Sequence, residues 1–514
     1  MANWPTRSMT LALLAGIAAT PAHAAWHEAK SKHFIVYADA SAEELKSYAE
    51  KLERFDAAFR EGRGVPDVAP GQATRVTLYI VRDLTALRRL YGGSKESGVA
   101  GFYIPRASGS VAFVPEKSHK GKWNLSADSI FFHEYSHHLM LQDADRPLPT
   151  WLTEGFAELF ATAEFKPDGS VMIGKPPLHR AEELYQMSDL PLEKMISGDF
   201  RNIDGWQYAT LYGRGWLLTH LLTFDLKRRG QLPKYLDAIQ AGVPSLKAAE
   251  DAFGDLKTLD RELKLYFKND KFTAANIPAS KLRMSPVTVR PLTPGEARVI
   301  NVRLRLARGG KKLFPGSLTG TARRAASDYP DDPSVLTTLA QIELAAENSK
   351  EANDAADRAL QLEPDSFDAL MTKGKAMAAL AKENGKSADW NAVRSMFLKA
   401  NKIDPEAAEP LVLFYRAYVA EGVQPTKNAI DGLTYAVALA PQDDQLRMEI
   451  IGRLIDDNRL KDARTVLVPM AYSPHMGKWH DSVVAILNQL DAGDRDKAKS
   501  QWEAVQKKYY DDED

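Results

Sequence analysis

The chain has 514 residues, no Cys, a formal charge of −1 and 44% hydrophobic residues. This is a globular composition that excludes disulfides and gives no electrostatic reason to expect nucleic acid as a partner. At about 150 residues per domain, the length predicts two to three domains.

Residues 1–24 read as a secretory signal. Arg7 supplies a basic start, "MTLALLAGIAAT" from Met9 to Thr20 is an apolar core, and Ala22-His23-Ala24 is a small-x-small cleavage site. The apolar core is too short to span a bilayer unaided. The expectation is therefore an exported protein, periplasmic or secreted, with no stable membrane insertion once the signal is removed.

"HFIVYAD" (33–39) alternates like a strand. The following stretch opens with Ser41 and Glu44 in capping-box spacing and carries Leu45, Tyr48, Leu52 and Phe55 at helical intervals. "RVTLYIV" (75–81) predicts a second strand, and "DLTALRRLYGG" a short helix closed by glycine. "GVAGFYI" and "GSVAFVP" flank Pro105 and Gly109 and predict a hairpin. From about Leu125 to Asp270 helical patterns dominate.

"FFHEYSHHLML" (131–141) sets three His and one Glu among large apolar residues. His133 and His137 are four apart, so on a helix they lie on one face, one turn apart. Both imidazoles can reach one cation, with Glu134 beside the first. Chance gives H-E-x-x-H in about one or two of a hundred such chains, so context matters. Apolar residues on nearly every side predict a buried helix, which excludes solvated histidines. His138 points about 100° away from His137 and is read as a packing or hydrogen-bonding residue. A third His at the next expected spacing is absent, because Met140 and Asp143 stand there. Pro147 and Pro149 break this helix, and a second, carrying Glu154 and Glu158 one turn apart in "WLTEGFAELFA" (151–161), would run back beside it.

His133-Glu-Tyr-Ser-His137 followed by Trp-Leu-Thr-Glu154-Gly resembles the gluzincin zinc peptidases, and "WLTEGFAE" is similar to the third-ligand segment of their aminopeptidase N group. The resemblance implies Zn²⁺ held by His133, His137 and Glu154, with Glu134 as general base. It implies that Glu158 orients the first ligand His, the alternative being a plain surface Glu. "LYGRGWLLTHLL" (211–222) is similar to the family string whose Tyr hydroxyl donates to the oxyanion. That is Tyr212 here, with Arg214 and Gly215 completing the pattern and Tyr208 as the competing Tyr. The family's Gly-Met-Glu-Asn string, which anchors a substrate amino terminus, is missing; "GSVAFVP" is expected at that edge strand instead. The departure leaves endopeptidase or restricted peptidase action open.

"SKLRMSPVTVRPLTPGEA", with three Pro, reads as a linker (280–295) between a domain at 25–279 and one at 296–510. In the latter, Pro330, Pro364, Pro405, Pro441 and Pro474 close helical segments at intervals of 34, 41, 36 and 33 residues. The unit ending at Pro364 has Leu336, Leu339, Ala340, Ala352 and Ala359 at the interlocking positions. The next has Gly374, Phe397 and Ala400, with extra residues near Glu383–Asp389; then follow Ala429, Leu433 and Ala436, and a weaker Ala463 and Leu467. This pattern resembles tetratricopeptide repeats. The resemblance implies an all-α solenoid that folds separately and holds a peptide or partner protein on its concave face.

The expected fold is thus an α+β gluzincin-like catalytic domain followed by a tetratricopeptide-type helical solenoid. The expected function is an exported zinc metallopeptidase acting on a peptide or protein substrate, with a protein partner on the repeats. The alternatives are a catalytically silent zinc-binding scaffold and a hydrolase of non-peptide amides.

Overall fold

The computed structural model describes residues 26–511, apart from 68–70, 72, 93–98, 117–125, 143–147, 199, 201–202, 310–315, 386–387 and 472–478. The expected signal segment, Asp143, Pro147 and Pro474 lie outside the described residues.

The first part is built on a sheet of six strands in the order β4-β5-β3-β2-β1-β9. These are β1 (Trp26–Lys30), β2 (Phe34–Asp39), β3 (Val76–Val81), β4 (Phe102–Ile104), β5 (Ser110–Pro115) and β9 (Thr288–Pro291). β2, β3 and β5 are parallel; β1, β4 and β9 each run antiparallel to a neighbour. Among the described residues three further strands, β6 (Glu164–Phe165), β7 (Val171–Ile173) and β8 (Ala275–Ile277), form a separate small sheet.

Strand alternation gives the main sheet two apolar faces. Val36, Ala38, Leu78, Ala112 and Val114 point into the principal core. Tyr37, Tyr79, Val111 and Phe113 point into a second core on the other face. On the first face lie α1 (Ala42–Arg63), α3 (Ala127–Gln142) and α4 (Thr150–Ala161); α2 (Leu84–Tyr91) lies on the second. The expected capping box is present at the start of α1, where Ser41 and Glu44 bond reciprocally. The principal core continues through α5 (Ala181–Tyr185), α6 (Leu192–Ser197), α7 (Gly205–Phe224), α8 (Gln231–Gln240), α9 (Ser245–Phe253) and α10 (Leu256–Asn269).

Two expectations change here. "GSVAFVP" is not an edge strand: β5 is buried along its whole length between β3 and β4, and β4 is the outer strand. Its residues are apolar towards both faces, which suits the interior of a covered sheet. The segment 280–295 is not simply a linker either. Thr288–Pro291 adds the outermost strand beside β1, and Thr293 caps a helix beginning at Pro294. Prolines are tolerated at a sheet edge and in a helix's first turn, so the same residues that signalled a break are compatible with both elements.

From Pro294 the chain is a helical array. Its members are α11 (Pro294–Arg308), α12 (Gly316–Asp328), α13 (Pro333–Ala345), α14 (Ser349–Leu362), α15 (Phe367–Asn384), α16 (Trp390–Ile403), α17 (Ala408–Glu421), α18 (Lys427–Leu439), α19 (Asp444–Asp456), α20 (Leu460–Ala471), α21 (His480–Asp491) and α22 (Arg495–Asp511). Successive helices pack on one another along the series. Small residues allow the close crossings: Ala340, Ala352, Ala359, Ala400, Ala436 and Ala463 are fully buried. A Cβ on Gly374 would lie 2.5 Å from the ring of Phe397 on the next helix. The extra residues of the second unit lengthen α15 to Asn384.

The array does not stand apart from the sheet. Leu292, Ile300 and Leu304 share the second core with Tyr37, Tyr79 and Phe113. Arg106, in the hairpin turn, donates to the carbonyls of Ala307 and Arg308 at 2.7 and 3.0 Å. Further along, the Asp443 carboxylate accepts from the Ala107 N–H at 2.7 Å, and the Gln442 amide donates to the Ala73 carbonyl. Apolar surface on the sheet's outer face needs a cover, and α11 supplies it. Ile300→Ala should therefore cost about 2–4 kcal/mol. Both parts should lose stability in one calorimetric transition; a shift confined to one of two separate transitions would contradict the shared core.

Candidate metal centre

α3 is held by aromatic packing through Phe131, Phe132 and Tyr135. Phe132 stacks on Phe55 with centroids 4.1 Å apart, Tyr135 lies against Phe34, and the Tyr135 hydroxyl donates to Asp56 at 2.8 Å. That locks the rotation of the helix and directs His133 and His137 towards α4.

Glu154 of α4 meets them. His133 Nε2 and His137 Nε2 are 3.1 Å apart, and Glu154 Oε2 lies 3.2 Å from the first and 3.5 Å from the second. Among the described residues this is the one group of three such side chains close enough to share a cation. The triangle can be tested against zinc. Zn–N and Zn–O bonds of about 2.0–2.1 Å in tetrahedral geometry separate the ligand atoms by about 3.3–3.4 Å. The three atoms present fit that requirement, and two imidazoles with one carboxylate are a borderline donor set suited to zinc.

Glu158 is not at the surface. It is fully buried, and its carboxylate lies 3.3 Å from His133 Nδ1, the nitrogen turned away from the triangle. A carboxylate there fixes the tautomer that presents Nε2. Two residues with no signal in the sequence hold Glu158 in turn. His179 Nε2 is 3.0 Å from one oxygen, and Arg180 bonds the other through Nε at 2.9 Å and Nη2 at 2.8 Å. They come from a short helical turn, Leu178–Arg180, leading into α5. No periodic pattern marks that segment.

Charge compensation governs this space. Burial pushes the carboxyls of Glu154 and Glu158 up, but His137 and His133 for the first, and Arg180 and the histidines for the second, hold both below the usual range. Burial works against a charged His133, yet hydrogen bonds to Glu154 and Glu158 raise its pKa to about 10. Metal ligation uses the neutral imidazole, so a cation competes with that proton.

Glu134 is half-buried beside the triangle. Tyr212 of α7 sits opposite. Its ring centroid is 6.0 Å from that of His133, and its phenol is pushed up by burial, then by the charges of Glu154, Tyr208 and Glu134. The Arg180 guanidinium covers the Tyr212 ring at 4.4 Å. Tyr208, the competing Tyr, is also near: its ring is 6.3 Å from Tyr212, and burial and Glu154 push its pKa up to about 12. Tyr212 is the one that meets His133. Arg214 does not join the site; it is buried and donates to the carbonyls of Met187 and Leu190 and to Asp260. His138 faces away. It bonds the Tyr103 hydroxyl at 2.8 Å and stacks on Tyr135, and burial lowers its pKa to about 4.

The glycines of the two motifs explain how α7 comes so close. A Cβ on Gly155 would lie 2.5 Å from the Gly215 carbonyl oxygen, and one on Gly215 would lie 2.6 Å from that of Trp151. At this crossing α4 and α7 touch backbone to backbone, which places Tyr212 beside His133.

Gly155→Ala and Gly215→Ala should each cost about 1–3 kcal/mol and lower zinc affinity together with stability; unchanged melting of both would contradict the close crossing. Glu158→Ala should keep the fold and weaken zinc binding by about 10–100-fold. Competition with a chromophoric chelator measures this, and wild-type affinity would remove Glu158 from the site.

No family model and no curated protein matches the chain. Among solved structures, it is similar to a thermophilic TPR protein of Thermus thermophilus at 18% identity and TM-score 0.31, covering 37% of this chain and 97% of that one. It is also similar to yeast Tom70 at 11% identity and TM-score 0.26, covering 71% of this chain and 82% of that one.

Proposed function

We propose that the chain is an exported zinc-dependent hydrolase of peptide bonds. The observation that carries this reading is the triangle of His133 Nε2, His137 Nε2 and Glu154 Oε2, with edges of 3.1, 3.2 and 3.5 Å, beside Glu134 and Tyr212. A zinc ion bound there supplies Lewis acidity, polarising a carbonyl and acidifying water. Glu134, too far round the helix to ligate, accepts the proton of the attacking water and returns it to the departing amine. The Tyr212 hydroxyl, kept protonated by its surroundings, donates to the oxyanion that forms on the carbonyl. Glu158 orients His133 throughout. β4, the outer strand beside α3, offers backbone groups to an extended peptide. Export rests on the pattern of residues 1–24; no helix among the described residues is long and apolar enough to cross a membrane.

A second reading is an interaction scaffold that holds zinc and turns nothing over. The length of the helical array, α11 to α22, favours it. Glu134 separates the two, because a scaffold has no use for a base at that position.

Elemental analysis should find one zinc per chain, absent in His133→Ala. Glu134→Gln should keep the zinc and the fold and lose about 10²–10⁴-fold in peptide hydrolysis. Tyr212→Phe should keep zinc and slow turnover by about 10²–10³-fold. Zinc-loaded wild type that cleaves nothing across a broad peptide library would leave the scaffold.

A further inference from the structure

The turn between β1 and β2 carries a buried histidine with a carboxylate against each ring nitrogen. His33 Nδ1 lies 2.9 Å from Glu53 Oε2 and 3.5 Å from Asp56 Oδ2, both on α1. Its Nε2 lies 3.0 Å from Asp67 Oδ1, in the segment that follows α1. Glu53 also accepts the His33 backbone N–H at 2.9 Å. A neutral imidazole has one N–H and cannot donate on both sides, so this geometry is that of the imidazolium. His33, Glu53 and Asp56 are buried, where a charge without a partner is costly.

The same cluster holds α3. Asp56 accepts from the Tyr135 hydroxyl and from Arg60 Nε, each at 2.8 Å. Arg60 also donates to the side chain of Gln142, the last residue of α3, at 3.0 Å, and to the Pro66 carbonyl at 2.6 Å. The carboxylates of Glu53, Asp56 and Asp67 are thus directly paired with His33, Arg60 and Lys32, the last of which meets Asp67. Two other titratable groups of α3 face this space and stay uncharged near neutrality: burial pushes the Tyr135 phenol well up and lowers His138 to about 4. Arg75, just before β3, donates to the Lys32 carbonyl at 3.3 Å and acts on Glu53 through its charge.

We propose that this cluster is a pH-sensitive latch on α3, closed while both ring nitrogens of His33 carry protons and loosened when one proton leaves. Deprotonation strips a carboxylate of its donor and leaves buried negative charge with one directly paired cation fewer, which costs far more inside the protein than in water. Burial works against the charged imidazole, but the bond to Glu53 and the charges of Asp56 and Glu53 outweigh it, with Arg60 opposing, and its pKa is raised. Stability from a raised histidine is fully present below its ordinary value of about 6.5 and is lost as the pH climbs through the raised one. Burial pushes Glu53 and Asp67 up, yet bonds from His33 for the first, and from Lys32 and His33 for the second, hold both below the usual range. Their contribution therefore lasts until the pH falls through those lowered values. The latch is closed in mildly acidic solution and opens on the alkaline side. Because α3 presents His133 and His137, their alignment depends on pH through a side chain on another element. The latch does not depend on the hydrolytic reading.

The test compares the full chain with His33→Gln, whose side chain does not titrate. At about pH 6 the wild type should melt about 3–5 °C above the variant, and the gap should close as the pH rises through the titration of His33. Amide exchange of α3, followed by mass spectrometry, should be about 10-fold faster in the variant at about pH 6 and equal to wild type once His33 is neutral. Comparing the two proteins at one pH cancels the intrinsic exchange rate. Asp67→Asn, at an exposed position, removes one of the two acceptors and should move the alkaline fall in melting temperature to lower pH. It keeps the latch testable should His33→Gln fold poorly. A melting gap between wild type and His33→Gln that stays constant from about pH 6 to about pH 9.5 overturns the proposal. So does equal α3 exchange in the two proteins at the acid end, or an Asp67→Asn profile that superimposes on that of the wild type.

Discussion

Two carboxylates and two imidazoles share one buried space between α3 and α4, and most of the first domain is arranged around that fact. Any one of these groups alone would be expensive to bury. Together they compensate: Glu154 faces both Nε2 atoms, Glu158 takes His133 Nδ1, and Arg180 and His179 answer the remaining charge of Glu158. Such a cluster tolerates little slack, because a displaced partner leaves a buried charge uncompensated. The aromatic packing around α3 and the glycine contact between α4 and α7 remove that slack.

Rigidity at the cluster and openness beside it serve different ends. His133 and Glu154 are locked, while Glu134 and Tyr212 are only half-buried and border the same space. Arg180 links the two groups, since one guanidinium both grips Glu158 and covers the Tyr212 ring. The position of the hydroxyl is thereby coupled to the orientation of the first imidazole. Under the hydrolytic reading proposed above, this is the pre-arrangement required, in which donors are aimed before charge develops.

The sheet has two occupied faces, and this joins the halves of the molecule. The face towards α3 supports the candidate metal centre; the face towards α11 supports the array and, between them, the space that Arg303 lines. A helical solenoid ordinarily keeps its concave side for a partner. Here α11, α13 and α15 look onto Tyr37 and Tyr79 of the same chain, so what reaches those helices must share the space with the sheet.

Much of this was legible in local spacing. His133 and His137 had to share a helix face, and Pro149 followed by an apolar helical run had to bring a second helix carrying Glu154 and Glu158 on one side. The small residues recurring through 336–467 had to mark helix crossings. These readings hold because helix rise and rotation are set by the backbone, whatever lies around it. The sequence left open whether Glu158 was buried, which tyrosine met His133, where Arg214 pointed, which strand formed the sheet's edge, and what the proline-rich stretch at 280–295 became. It carried no sign of His179 and Arg180 as partners of Glu158, or of Arg303 facing Tyr37 across some 266 residues. Those outcomes belong to the tertiary structure. They depend on which distant surfaces meet, and that is decided by the packing of whole faces rather than by any periodicity along the chain.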